Sequence, residues 1–552
     1  MKKTLIVLMS IIFIQNQAVC TPLGFADFTL KNQCVCTSVL LASTPIIYTT
    51  GISGNLTASA NKNIYIKSDK DIALDKVNSG ETVNMEILGK ITNGAFNGQS
   101  NITSNIINLN AENIGERDNN LGISLTGADS IVNMNAEDSL YVDNVSETQD
   151  FNIGIVEAGN NAVISSETGD IVAFDENSYI SANNIEFDAK NGNIGSQDNK
   201  LKVTDFDLVS GHANGNIDLE VITPDSLGLE EALIRHPELV SGSAVYNIGD
   251  IKSDNGYIDM YSSDSGINLK GIVDAKESIN ADIYGNITDD AGNDTAGFYS
   301  DKINLISETG SIGTSDNSIR IGASLAGHSV LDTESTLNAD AINGIYIESH
   351  DTIVADKVES NADVRLESEE DIKAKPQEDE SANITANNIE LTAGQNIGEK
   401  DNRLVTEITT DKGRTNLKAN GNIYLKQNGT NRFYSDYVIN TGNGATDLLV
   451  PDNSVFIIDL EVANPSLFKI DFTGMKYKKE ISIGFNDLKK LTIDPTVTRK
   501  DDEEDPEEES ELLRSFKYNI YVSPDVFKFP ANIRLSPLNP LISKNTTEKK
   551  TI

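Results

Sequence analysis

The stretch NIGERDNNL, residues 113–121, returns three more times along the chain, as NIGSQDNKL (193–201), SIGTSDNSI (311–319) and NIGEKDNRL (396–404). Each copy keeps Ile-Gly, two variable polar residues and Asp-Asn, and an apolar residue follows two positions later. The isoleucines of the four copies are 80, 118 and 85 residues apart: Ile114, Ile194, Ile312 and Ile397. These distances predict a structural repeat of about eighty residues.

A second marker has nearly the same period. It reads NIYI (63–66), SLYV (139–142), GIYI (344–347) and NIYL (422–425), and we assigned the looser GYID with Tyr257 to the copy between them. The second copy is therefore longer than the first by 118 − 80 = 38 residues. We expect an insert to supply much of this excess and ordinary loop variation to supply the rest.

Short strings between these markers alternate apolar and polar residues, for example NNIEFDA (183–189), KINLIS (302–307) and NNIELTA (387–393). They recur about every twenty residues and are separated by Asn, Gly and Asp, which form turns at little cost. Scarce aromatics disfavour a propeller, and the lack of linkers disfavours a row of sandwiches. The pattern predicts an all-β chain folded as a right-handed parallel β-helix, a solenoid with about four coils in each repeat. The motif isoleucines should then be buried, with Gly at a corner.

The bulk composition limits the function. The chain has 552 residues, 38 % of them hydrophobic and 6 % aromatic, with no Trp and a net charge of −40. Such a negative field repels phosphate backbones, so we expect no nucleic-acid partner. The regular alternation of apolar residues argues against disorder.

The N-terminus is typical of a secretory signal. Residues 1–20 read MKKTLIVLMSIIFIQNQAVC, with Lys2 and Lys3 ahead of a short apolar run. We therefore expect export to a secreted or outer cell surface location of the Gram-negative type. The chain has three cysteines, Cys20, Cys34 and Cys36. Cys20 is open to two assignments, a lipid attachment point or half of a disulfide with Cys34.

An apparent insert occupies residues 222–246. Its sequence, ITPDSLGLEEALIRHPELVSGSAVY, has a helical period between two prolines and interrupts the strand pattern. The string IRHPELVSGS resembles the translated palindromic elements inserted into reading frames of some obligate intracellular bacteria. That resemblance implies a surface loop that the fold tolerates.

These observations divide the chain into segments. We expect a signal peptide (1–20), an N-terminal cap (21–50), β-helix repeats (51–445), a C-terminal β cap with antiparallel strands (446–500), an acidic linker (501–513), and C-terminal strands with a tail (514–552). The linker contains the run DDEEDPEEESE. About eighteen coils of twenty residues would make the repeat region a rod roughly 85 Å long at the spacing of hydrogen-bonded strands.

Strand-and-corner repeats of this kind resemble the filamentous-haemagglutinin class of bacterial adhesins and autotransporter-passenger-like surface β-helices. The resemblance covers about residues 50–445 and rests on the NIG..DN.L motif in an Asn-rich chain without Trp. It implies an adhesin-like surface protein that binds a glycan or protein on a host or bacterial surface. An outer-membrane translocator would be a further partner.

The residues themselves point to no chemistry. We assign no catalytic, cofactor-binding or metal-ligating residue, and we expect neither a cofactor nor enzymatic activity. His212 and His328 follow the motif at similar distances and are interpreted as corner residues, while His236 belongs to the insert and His350 to a polar turn. The alternative is a polysaccharide-degrading β-helix enzyme, a lyase or glycoside hydrolase, which needs carboxylates that converge on one groove. The prominent acids, however, repeat with the motif: Asp118, Asp198, Asp316 and Asp401.

Overall fold

The chain forms a parallel β-solenoid of about 15 turns. The computed structural model describes residues 55–95, 98–224, 244–290, 295–323, 334–377, 381–410, 413–428 and 445–449, together with the backbone course of strands nearer the two ends. All pairings between these strands are parallel except that of Ile12–Ile14 with Gln17–Cys20. At about 4.8 Å per coil, the turns build a rod on the order of 70 Å long. The predicted fold class is confirmed, and its right-handed sense stays a prediction.

Two sheets form opposite sides of each coil, and the chain passes alternately through one and the other. Sheet A contains the strands Ile12–Ile14, Gln17–Cys20, Cys36–Leu41, Asn55–Ala60, Ile72–Ser79, Lys90–Asn93, Ile102–Ser104, Asn113–Ile114, Leu121–Leu125, Leu140–Asn144, Asn161–Ser166, Asn184–Ala189, Leu208–Ala213, Val245–Ser253, Gly266–Leu269, Ile272–Ala275, Ile287–Asp289, Gly297–Tyr299, Ile319–Gly322, Ile345–Ser349, Asp363–Ser368, Asn388–Ala393, Arg414–Ala419, Tyr434–Thr441, Val455–Val462, Ile481–Phe485 and Tyr518–Tyr521.

Sheet B contains the strands Phe28–Lys31, Ile46–Thr50, Asn63–Ser68, Thr82–Ile87, Ile106–Ala111, Ile131–Ala136, Phe151–Ala158, Ile171–Ala173, Tyr179–Ser181, Leu201–Thr204, Ile217–Val221, Ile258–Ser262, Ile279–Ile283, Lys302–Ser307, Glu334–Ala341, Thr352–Ser360, Ile372–Ala374, Ile384–Ala386, Leu404–Ile408, Ile423–Asn428, Thr446–Leu449 and Phe468–Asp471. Because side chains alternate across a strand, every second residue points inward and the others face solvent.

The core is a set of columns in which each apolar side chain stacks on its partner in the next coil. In sheet B, for example, Val83, Ile107 and Val132 pair in register and are fully buried. The four motif isoleucines belong to such columns and are each 0 % exposed. Ile194 pairs with Ile171 on one side and Ile217 on the other. The prediction that these isoleucines are buried and equivalent is confirmed.

The motif does not form a corner between the sheets, as we expected, but an interruption within one sheet. Ile114 pairs with Leu140, and Leu121 pairs with Val142, so residues 115–120 leave the sheet between two positions that are neighbours in the next coil. Glu116 and Asn119 exchange backbone hydrogen bonds and close a tight turn outside the sheet. The motif therefore adds an outward loop without disturbing the columns of the core.

Glycine is required where this loop leaves the sheet. The motif glycines Gly115, Gly195, Gly313 and Gly398 have φ of 72°, 71°, 70° and 67°. A Cβ on Gly195 would also lie 2.0 Å from the backbone oxygen of Asp218 in the next coil. Both the left-handed conformation and the close backbone approach exclude larger side chains.

The Asn of the Asp-Asn pair in each motif satisfies a backbone group of the previous coil. Its side-chain amide donates to the carbonyl of the residue at which the preceding strand breaks, over 2.6–3.2 Å: Asn119 to Asn93, Asn199 to Ala173, Asn317 to Asp289 and Asn402 to Ala374. A carbonyl left unpaired at such a break would carry a desolvation cost. The fixed Asn thus fastens each interruption to the one before it.

These interruptions form four stacks that begin in the same way. A bulge with one extra residue opens each stack, as at Asp75 in the strand Ile72–Ser79. A longer interruption follows in the next coils, as between Asn93 and Ile102, and the motif turn is the last. In the coil after the motif turn, the strand is again uninterrupted. The same series starts in the strands Phe151–Ala158, Val245–Ser253 and Thr352–Ser360.

The repeat is about three and a half coils long, not four. From Ile114 in sheet A the chain passes through the segments 131–136, 140–144, 151–158, 161–166, 171–181, 184–189 and 194–204, which alternate between the sheets. Seven passes place the second motif on sheet B. The third lies on sheet A and the fourth on sheet B. The reason is that many coils are longer than twenty residues. Partners in neighbouring coils lie, for example, 18 residues apart from Leu201 to Leu219, 26 from Ile397 to Ile423 and 28 from Arg320 to Glu348.

The long second repeat contains an extra coil, because nine passes between the sheets separate the second motif from the third. Most of the predicted insert, residues 225–243, lies outside the described residues. Ile222 and Tyr246, placed in the insert by the sequence, are 4 % and 0 % exposed. The Tyr246 ring stacks on Phe206 with centroids 4.6 Å apart.

The predicted segment bounds differ at both ends. The strands Cys36–Leu41 and Ile46–Thr50 already pair in parallel with the first described coil, so the solenoid begins before residue 51. Val455–Val462 and Phe468–Asp471, expected to run antiparallel in a cap, continue the solenoid in parallel. Most of the predicted signal peptide, the cysteine side chains and the acidic linker 501–513 lie outside the described residues.

Replacement of the motif glycine tests its two constraints separately. Gly98 also has a positive φ, 80°, but a Cβ there would meet nothing within 4 Å. We expect Gly98→Ala to lower the free energy of unfolding by about 1–2 kcal/mol through conformational strain alone. Gly195→Ala should cost a further ~1–3 kcal/mol because the methyl group displaces the next coil. Urea unfolding of both variants measures the difference, and equal losses would show that the coils can separate locally.

Two deletions test the bounds of the insert. Removal of residues 225–243 leaves Ile222, Thr223, Pro224 and Ala244 between strands, a length similar to the turn 214–216 elsewhere. We expect this deletion to change the melting temperature by less than about two degrees. Removal of 222–246 also takes away the buried Tyr246 and should lower it by several degrees. Scanning calorimetry of the two deletion variants decides the point; a large loss with the shorter deletion would place 225–243 in the packed structure.

Candidate functional site

The repeated aspartates do not converge on one groove. Asp118, Asp198, Asp316 and Asp401 all lie at the exposed tips of the motif turns. Successive motifs are on opposite sheets, so Asp118 and Asp198 face away from each other. A glycosidase needs two carboxyl groups within about 10 Å across one substrate. The four motif aspartates therefore lie at equivalent turn positions and do not form a shared site.

His212 is placed differently from the prediction. His212 lies in the middle of the strand Leu208–Ala213 and not at a corner. Its ring lies between two carboxylates of neighbouring coils, with Nδ1 3.1 Å from Asp188 and Nε2 3.0 Å from Asp254. A neutral imidazole can donate to only one of them. His236 and His328 lie outside the described residues.

A groove of about 440 Å³ lies along one edge of sheet A. It crosses four coils, which contribute the short segments 348–350, 367–369, 392–394 and 418–420, and Arg320 lines one end. Arg320, Glu348, Glu367, Thr392 and Lys418 occupy the same position in successive strands. The groove therefore runs along the rod axis, perpendicular to the strands. We call it the sheet A groove.

Most charged side chains of the sheet A groove form ion pairs with each other. Arg320 forms an ion pair with Glu348, and Arg365 forms one with Glu367. Arg365 also donates to the Ser315 carbonyl at the tip of the third motif turn, over 3.0 Å. The third motif and the groove are thus joined through one guanidinium group, whose planar fork suits such multiple contacts.

The middle of the sheet A groove contains a further polar contact. His350, which we assigned to a polar turn, is exposed in the coil that follows Arg320, and its Nδ1 lies 2.9 Å from Glu369. In the coil after Glu369 the corresponding position is Gly394, which lines the groove with its backbone. A Cβ on Gly394 would lie 1.8 Å from the Glu369 carbonyl oxygen. Lys418 is exposed in the last coil.

A second polar cluster lies on sheet B where the second motif stack closes. Asp218, Asp259 and Asn280 are in register on three successive coils. Lys200 forms an ion pair with Asp259, and Asn280 donates to the same carboxylate over 2.9 Å. The Tyr257 hydroxyl donates to Asp218 over 3.2 Å. We call these residues the Asp218 cluster.

Asp218 is held in an unfavourable environment for a charge. The residue is 1 % exposed, and its Oδ1 has no hydrogen-bond partner. Burial raises the pKa of Asp218 although Lys200 opposes the change. Burial and the nearby Asp218 carboxylate raise the pKa of Tyr257 to about 12. A raised carboxyl pKa next to a second carboxylate is one feature of acid–base sites, but a buried carboxyl does not reach a polymer substrate.

The Tyr-containing marker of the sequence locates Asp218, although we aligned the second repeat of that marker with the wrong segment. The coil that closes each motif stack contains Tyr141, Tyr346 or Tyr424, whose carbonyl lies against the motif glycine. Asp218, in NIDL, has this place in the second repeat, and Tyr257 belongs to the following coil. The assignment of Tyr257 to the marker was therefore wrong by one coil. The sheet A groove has no comparable signal, because its residues come from four segments.

Comparisons with known proteins add no further assignment. No protein-family model matches the chain, and no curated protein or solved structure matches it. Within the part of the chain that the structure describes, no group of three or more His, Cys, Asp or Glu residues is arranged to hold a metal ion. In that same part, no helix is long and apolar enough to cross a membrane.

Asn substitution tests the electrostatics of the Asp218 cluster. Because the folded-state pKa of Asp218 is raised, folding binds protons, and the stability penalty grows as pH rises through that pKa. We therefore expect Asp218→Asn to raise the melting temperature at pH 7 by a few degrees and to have little effect near pH 3. Asp259→Asn is the matched control, and loss of its bonds to Lys200 and Asn280 should lower the melting temperature at pH 7. Thermal unfolding followed by circular dichroism measures both; a lower melting temperature for Asp218→Asn at pH 7 contradicts the assignment.

Proposed function

We propose that this chain is an exported bacterial surface protein of the adhesin type, which binds ligands on a host or neighbouring cell through the outer faces of its solenoid. The observation that carries the proposal is the long, ordered array of outward polar side chains on successive coils. A rod of this kind presents many copies of a weak contact at fixed spacing. Such contacts add through multivalency.

The outer faces are rigid because their polar groups bond to one another. Asn84, Asn108 and Asn133 form an amide ladder on sheet B, in which Asn133 donates to Asn108 over 2.9 Å. Ion pairs between neighbouring coils add to this order: Lys62–Glu81, Lys67–Glu86 and Lys190–Glu167. Each exposed pair contributes little stability by itself. Together they restrain the conformations of these side chains, so that less conformational entropy is lost when a ligand binds.

The alternative, a polysaccharide-degrading enzyme, is favoured by one observation. Asp218 and Asp259 are directly opposed on neighbouring parallel strands, which are about 4.8 Å apart. Two carboxylates on adjacent strands are a prerequisite for the paired acids of retaining glycosidases, whose carboxyl groups are about 5–5.5 Å apart. Burial of Asp218 and the ion pair of Asp259 with Lys200 both oppose this role, because neither carboxylate is free to reach a substrate.

A combined binding and cleavage assay separates these functions. The purified chain is labelled and incubated with intact epithelial and bacterial cells, and bound label is measured by flow cytometry. The medium is assayed for new reducing ends and unsaturated sugars. We expect saturable binding without sugar release, and weaker binding to cells whose surface glycans have been removed.

The controls make each outcome decisive. Sugar release that disappears in the Asp218→Asn and Asp259→Asn double variant would establish the enzyme instead. Absence of both binding and cleavage would contradict the adhesin proposal. Surface location is tested in the native bacterium by protease treatment of intact cells, which should release fragments of the solenoid.

A further inference from the structure

The sheet A groove has the shape of a site for a linear ligand. Its four coils are about 4.8 Å apart, so the groove spans about 14 Å along the rod axis. Its volume, about 440 Å³, lies within the range of roughly 300–1,000 Å³ that is usual for small-molecule sites. The coil spacing is similar to the length of one pyranose unit in a linear glycan. Successive sugars of an extended oligosaccharide would therefore meet successive coils.

One end of the groove contains polar groups with no side-chain partner among the described residues. Thr392, Lys418 and Asn420 line this end. Among the residues that the structure describes, none of the three has a side-chain hydrogen bond or ion pair. Lys418 follows Thr392 in the same register position of the next strand. An ammonium, a hydroxyl and an amide are thus available together to a ligand.

The end near Arg320 offers hydrogen-bond acceptors, and its cationic side chains are already paired with carboxylates. Glu348 and Glu367 are paired with Arg320 and Arg365, and Glu369 lies against His350. In each ion pair only one carboxylate oxygen contacts the cationic group, which leaves the second oxygen able to accept from a sugar hydroxyl. A second anionic group on the ligand would be repelled here. The two ends therefore require different chemistry.

We propose that the sheet A groove binds an oligosaccharide whose terminal sugar has a carboxylate and whose next sugars are neutral. The terminal carboxylate pairs with Lys418, and Thr392 and Asn420 bond to hydroxyls of the same ring. The following rings extend toward Glu348 and Arg320. This inference rests on the proposed adhesin function and names the ligand class of one site on the rod.

Other ligand classes fit the groove less well. A uniformly acidic polysaccharide or a nucleic acid would place further anions against Glu348, Glu367 and Glu369, in a chain of net charge −40. An apolar peptide would find no aromatic or large aliphatic side chain in the lining. Lys418, which has no partner among the described residues, and the glutamates along the rest of the groove favour a single terminal anion.

Sialyllactose is a suitable probe because it joins one carboxylated sugar to two neutral ones. We expect the full chain to bind it saturably in isothermal titration calorimetry, and to bind lactose and the carboxyl-amidated trisaccharide at least about threefold more weakly. Lys418→Gln should weaken sialyllactose binding by a similar factor, and Lys418→Glu by about tenfold or more, with no change for lactose. Added salt should reduce the difference between sialyllactose and lactose.

The matched control is Lys302→Gln, which removes an exposed lysine from sheet B outside the groove and should leave affinity unchanged. Circular dichroism checks that each variant remains folded. Equal affinity for sialyllactose and lactose, no saturable binding of sialyllactose, or an unchanged Lys418→Gln variant would overturn the proposal.

Cell binding distinguishes this result from failure of the proposed function. If the sialyllactose titrations fail in any of these ways while the unchanged chain still binds cells, the groove assignment fails and the adhesin function stands. If the unchanged chain binds sialyllactose but no cells, the groove stands and the adhesin function fails.

Discussion

Each coil of this solenoid must hydrogen-bond to the coil before it, and every local departure from the sheet must restore that pairing within a few residues. The motif turn meets this requirement. Its Ile stays in the core column, and its Gly allows the chain to leave the sheet. The amide of the Asn that follows Asp donates to the carbonyl left unpaired at the break in the previous coil. Because an unpaired buried carbonyl is costly, the same residues recur wherever a stack of interruptions ends.

The length of the repeat decides where these stacks lie. Seven passes between sheets separate the first motif from the second, and the third from the fourth, so neighbouring motifs face opposite sides of the rod. The repeated aspartates are therefore dispersed, and this dispersal weakens any catalytic assignment for them. The polar residues that do come together are those that break the repeat, such as Asp218 in place of a tyrosine.

The two polar sites differ in how their charges are balanced. In the Asp218 cluster, burial leaves one carboxylate oxygen without a partner, which disfavours the charged form. In the sheet A groove, the glutamates are paired in solvent-accessible positions and one lysine is left over. The first arrangement affects stability and its pH dependence. The second is accessible to a ligand, and for that reason the binding proposal rests on the groove.

The sequence by itself determined the fold class, the repeat and the burial of Ile114, Ile194, Ile312 and Ile397, because alternation and turn residues act locally along the chain. It did not give the interruption geometry, the opposite faces of successive motifs or the ends of the insert at Ile222 and Tyr246. The sheet A groove was also beyond reach, since Arg320, Glu348 and Lys418 meet only through the register of coils that are 19–28 residues long in this region. Coil length varies with each loop, so only the tertiary structure decides which side chains become neighbours.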